Sequence, residues 1–82
     1  MTVVVESPSG VAWVGRYHER SDRGVLLHDV AVHNAATAKL PRGAWIERQI
    51  KFGIHAEAPH LVVPNDQATR IVRLMEWEPA TS

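Results

Sequence analysis

Arg16, Arg20 and Arg23 fall within eight positions of one another and are interleaved with Tyr17 and His18, a grouping able to contact phosphate and stack on a nucleobase. Glu19 and Asp22 lie among them, so the same stretch also reads as a solvated hairpin tip of mixed charge, where surface ion pairs are worth little. Asn65 and Asp66 follow Pro64 and suit a tight turn through side chain to backbone hydrogen bonds. If several copies of the chain formed a ring, that turn would converge on a central pore and present both side chains to a ligand. The candidate nucleic-acid-binding set is therefore Tyr17, His18, Arg20, Arg23, Asn65 and Asp66.

Other chemistry is less well provided for. His18, His28, His33, His55 and His60 are possible metal ligands by type. On a continuous strand, however, His28 and His33 point to opposite faces, and Pro59 divides His55 from His60. No metal site and no cofactor are expected. For catalysis, Ser21 with His18 and Asp29 with His28 are the only neighbouring nucleophile or acid–base combinations, and adjacent strand residues face opposite ways. No glycine-rich phosphate loop is present. The chain is expected not to be an enzyme.

These side chains sit in an 82-residue chain that is 45% hydrophobic and 22% charged, the profile of one globular domain spanning 1–82. So short a chain buries only about 60% of its unfolded surface, so disulfides, metal or partner subunits usually supplement the core. Cysteine is absent, which excludes disulfides and thiolate chemistry and leaves self-association as the expected supplement. Nine Lys and Arg balance nine Asp and Glu, so total charge draws the chain toward neither nucleic acid nor membrane. No stretch approaches the ~20 apolar residues of a membrane span, and Met1 to Glu6 is unlike an export signal, so the expected compartment is the cytoplasm.

The pattern along the chain is that of strands. Val3 to Glu6 leads to Ser7-Pro8-Ser9-Gly10, a tight reversal, and then Val11, Trp13, Gly15 and Tyr17 share one face of a second strand that bends at Gly15. A polar hairpin ending in Gly24 precedes the long strand-like run Val25 to His33. Asn34 to Gly43 reads as a loop. From Ala44 to His55 apolar residues occupy most even positions, which predicts a strand with Trp45 among polar neighbours, as an anchor at a subunit contact. His60 to Val63, a turn, and Thr69 to Trp77 complete six strands, and Glu78 to Ser82 is expected to fray. Trp45, Ile50, Phe52 and Ile71 form the candidate interface.

In this order the segments resemble the Sm-like family, which includes bacterial Hfq and the Sm and Lsm proteins. Gly15 to Leu27, with its bending glycine, polar hairpin and aliphatic pair, resembles the first Sm motif, and Leu61 to Ile71, a strand, a turn and a strand, resembles the second. Asn34 to His60 is then an insertion between the motifs. The resemblance implies an all-β fold, a small and strongly bent antiparallel barrel of Sm-like or SH3-like type, that assembles as a homo-oligomeric ring through its edge strands and binds RNA. RNA-binding members commonly carry a cation in the second-motif turn. This chain has Asp66 there, whose charge opposes phosphate. Two functions follow: an oligomeric binder of RNA or single-stranded nucleic acid, and a non-catalytic oligomeric scaffold or protein-interaction module.

Overall fold

The structure, a computed structural model, describes residues 1–78. Five strands, β1 (Thr2–Glu6), β2 (Val11–Ser21), β3 (Gly24–Asn34), β4 (Ala58–Val63) and β5 (Arg70–Arg73), form one sheet in the order β4-β3-β2-β1-β5. Every neighbouring pair is antiparallel. A single helix, α1 (Arg42–Phe52), separates β3 from β4, and a short 3-10 helix, Leu74–Glu76, follows β5. The fold is thus mostly β, as expected, but the sheet does not close: β4 and β5 remain its two edges.

The first reversal forms as its residues predict. Ser7 N–H donates to the Val11 carbonyl (2.9 Å), Val11 N–H returns a bond to Ser7 Oγ (3.1 Å), and Gly10 supplies a positive φ of 89°. Between β2 and β3 the pairing register slips at Gly15 and again between Tyr17 and Glu19. The first slip leaves Asp29 and Val30 opposite Gly15 and puts Asp29 at φ 52°, a left-handed conformation that Asp tolerates better than most residues. Its consequence is a change of phase. Val25 and Leu27 before the slip, and Val30 and Val32 after it, belong to the same core cluster. His28 and His33, expected on opposite faces, therefore share the other face of the sheet.

Two cores follow from this alternation. Val3, Val5, Trp13, Val25, Leu27, Val30 and Val63 pack together, with Leu61 of β4 and Ile71 of β5 against them. Residues from both sheet edges meet in one cluster only because the sheet curls. On the opposite face Val4 and Val14 pack with Ile46 of α1, Leu74 and Trp77. Glu6, 8% exposed, fastens this second layer: its carboxylate accepts from Arg42 of α1 (3.3 Å) and Arg70 of β5 (2.8 Å).

The strand expected from Ala44 to His55 is a helix. Ile46, Ile50 and Ile54 are four apart, a spacing that satisfies strand alternation and a helical face equally. What decides is Trp45 with Ile46 and Gln49 with Ile50, adjacent pairs that a helix turns toward one side; Ile46 and Gln49 are buried there. Pro41 precedes the helix and Gly53, at φ 89°, ends it. The last strand is shorter than expected: Arg70–Arg73 alone pairs with β1, and the chain then turns so that Leu74 and Trp77 both enter the second core. Five strands result among the described residues. β4 begins at Ala58 and includes Pro59, whose missing N–H is tolerated on an edge strand. The segment between the motif-like regions is accordingly a turn, α1 and the start of β4. Of the tail expected to fray, Pro79 to Ser82 lie outside the described residues.

Candidate functional site

The β2–β3 hairpin and the β4–β5 turn, distant in sequence, meet at one end of the sheet. Asn65 joins them: its Nδ2 donates to the Ser21 carbonyl (2.8 Å) and, at 3.5 Å, to that of Asp22, while its Oδ1 accepts from Arg20 Nε (2.8 Å). Within the turn, Gln67 and Ala68 N–H donate to the Pro64 carbonyl (2.9 and 3.1 Å). Its far side is tied to the first reversal, where Ser9 Oγ donates to Gln67 Oε1 (2.9 Å). The result is a rim carrying Arg20, Arg23 and Asp66, all exposed.

Of the expected residues, Arg20 and Asn65 are hydrogen-bonded to each other, while Arg23 lies on the same hairpin as Arg20 and Asp66 on the same turn as Asn65. Asn65, however, spends both ends of its amide on the chain itself. The two rim arginines share the surface with the exposed Glu19, Asp22 and Asp66, so the local field is mixed. Tyr17 and His18 stand apart. Tyr17 is half-buried against the first core, with its N–H on the Met1 carbonyl (2.7 Å). His18, at the second register slip, lays its ring 4.8 Å from that of His28. Arg16 pairs with Asp29 (2.6 Å) on open surface.

The combinations considered for catalysis are not assembled. Ser21 Oγ accepts from Arg23 N–H (3.2 Å), Asp29 is taken by Arg16, and His18 contacts His28. Among the described residues no group of three or more His, Asp or Glu side chains is placed to hold a metal ion. No helix there is long and apolar enough to cross a membrane.

The candidate interface residues occupy three places. Trp45 and Ile50 are half-buried beneath α1, against the chain's own sheet. Phe52 is 78% exposed at the helix end, and Ile71 is half-buried on the β5 edge. Pro59 on β4 and Arg70 and Arg73 on the four-residue β5 partly guard the edges, yet Val62 on β4 is 46% exposed, and Met1 and Met75, 61% and 79% exposed, line a shallow hollow beside Arg73 at the β5 end. No family model, curated protein or solved structure matches the chain.

One further feature had no local signal in the sequence. Where β3 ends, the 34–41 segment, α1 and Glu57 enclose a cleft of about 390 Å³ lined by Val32, His33, Leu40, Trp45 and Glu57, with Lys39 beside them. His33 is buried, donates from Nε2 to the Leu40 carbonyl (2.7 Å), and lies against Trp45 with the rings tilted by 40° and their centres 5.2 Å apart. Glu57 accepts from Val32 N–H through Oε2 (2.9 Å). Only the helical course of α1 brings Trp45 to this place.

Proposed function

We propose that the chain is a non-catalytic Sm-like module that assembles with copies of itself, β4 of one copy pairing with β5 of the next, and binds single-stranded RNA at the rim of the hairpin and turn. The observation that carries the reading is the strand order β4-β3-β2-β1-β5, which leaves two different edges unpaired on one curled sheet. Unlike edges that mate head to tail repeat the same contact, and a rotation that returns on itself gives a ring. Each mating satisfies backbone donors and acceptors that are otherwise open to any passing strand. It also supplies the burial that an 82-residue chain without disulfides lacks. In such an assembly the rims, each held by Asn65, repeat around one axis.

RNA binding at the rim rests on Arg20 and Arg23. Each phosphate contact on a single strand contributes a slope of about −0.7 to log K against log salt, so two arginines give roughly −1.4 for each protomer engaged. Fluorescence anisotropy with uridine-rich and adenine-rich oligomers at low and high salt measures this slope. A specific observation favours the scaffold reading instead: Glu19, Asp22 and Asp66 outnumber the rim arginines, and Asn65 has no polar atom left over. Assembly without salt-sensitive binding would select the scaffold; a monomer at all concentrations would remove both.

A further inference from the structure

The cleft beside α1 has a definite chemical complement. At about 390 Å³ it falls in the size range of small-molecule sites, and Val32, Leu40 and the indole of Trp45 give it an apolar body suited to a flat ring. Asn34 and Thr37 line it as well, and each can donate or accept, while Glu57 and His33 supply acceptors. Glu57 is pinned by Val32 N–H on Oε2, and its Oε1 has no partner among the described residues. In His33, Nε2 must carry the hydrogen because the Leu40 carbonyl can only accept, which leaves Nδ1 a lone-pair acceptor. That Nδ1 is buried with no partner, on a residue 3% exposed. Orphaned acceptors of this sort are uncommon in folded proteins, because each forgoes a bond it had with water. Lys39 pairs with no carboxylate among the described residues and adds a cation to the lining.

Two unpartnered acceptors on Glu57 and His33, an indole face and one ammonium without a carboxylate partner among the described residues suit a planar heterocycle that presents adjacent N–H donors and carries an anion. We propose that this cleft binds a guanine base, its N1–H and amino group donating to the wall at Glu57 and His33, its ring against Trp45, and its phosphate toward Lys39. Guanine is the common nucleobase whose pairing edge offers two neighbouring donors; adenine, cytosine and uracil each offer one. His33 Nδ1 is buried, so the 34–41 segment has to shift before the base can reach it. The site is separate from the rim and needs neither the ring nor the arginines.

Tryptophan fluorescence reads it directly, because Trp13 and Trp77 are 9% and 8% exposed and leave Trp45 as the residue a stacked base would quench. Titration with GMP should give saturable quenching. IMP, which lacks the amino group, should bind roughly tenfold more weakly, the worth of one lost hydrogen bond whose acceptor is left unpaired, and UMP more weakly still. Glu57→Gln can keep the bond from Val32 through its amide oxygen while turning a donor into the cleft, so it should weaken GMP at least tenfold and leave UMP unaffected. A guanine-containing ribohexamer distinguishes a base within a strand from a free nucleotide; binding of either supports the site. No quenching by GMP or by the hexamer, or equal affinity for GMP, IMP and UMP, overturns it, and that comparison stands on the unmodified protein even if the variant misfolds. Arg20→Ala with Arg23→Ala should abolish rim binding and leave GMP quenching intact, so the two sites fail independently.

Discussion

Asn65 connects segments more than forty positions apart, and its bonds run in a definite direction. The amide nitrogen gives to Ser21 and Asp22 carbonyls and the amide oxygen takes from Arg20. Asn65→Ala should cost about 1–2 kcal/mol in urea unfolding, the range for lost partly exposed hydrogen bonds. Asn65→Asp keeps the acceptor for Arg20 but sets a carboxylate against two carbonyl oxygens, so it should cost at least as much as alanine. If Asp proves harmless, the latch does not act through Nδ2. At Asp29 the backbone, at φ 52°, and not the exposed pair with Arg16, sets the outcome. Asp29→Gly should lie within about 1 kcal/mol of the parent, whereas Asp29→Val, β-branched in a left-handed conformation, should lose about 2 kcal/mol by the same measurement. The turn residues were legible in the sequence because Pro64-Asn65-Asp66 carries its own chemistry. Their partners were not, because no local signal says which carbonyls lie across a fold.

Strands β1 to β3 and their two reversals could be read locally, since β-branched runs, Gly10 and Gly24 mark them whatever surrounds them. The helix could not be read by alternation alone, because isoleucines spaced by four satisfy both periods; its punctuation by Pro41 and Gly53 was the better guide. The short β5 was hidden for a different reason: Leu74 and Trp77 leave the sheet to fill a core that exists only once α1 is in place. Ile46, fully buried there, carries that attachment. Ile46→Ala should cost about 2–5 kcal/mol and reduce helical circular dichroism ahead of the β signal during thermal unfolding. Unchanged stability would mean that α1 is not docked on this face. Gly24 is the tightest point between elements, at φ 133°, where a Cβ would run into the Val63 backbone of β4. Gly24→Ala should therefore cost roughly 3 kcal/mol or prevent folding, read by the denaturation midpoint.

At the scale of the whole molecule, the unpaired edges and the small core point the same way. The chain has a Cα radius of gyration of 11.6 Å, two open strand edges and exposed Val62, Met1 and Met75, which the proposed pairing with its own copies would serve to cover. The proposed pairing through β4 and β5 would make stability depend on protein concentration, because dissociation would expose both edges together. The most direct measurement is native mass spectrometry of the parent and of Val62→Lys, which puts a charge on the β4 edge without entering either core. Head-to-tail pairing predicts one discrete multiple of the protomer mass for the parent and a folded monomer, with unchanged circular dichroism, for the variant. A parent that is monomeric at every concentration, or an assembly that Val62→Lys leaves intact, would contradict it.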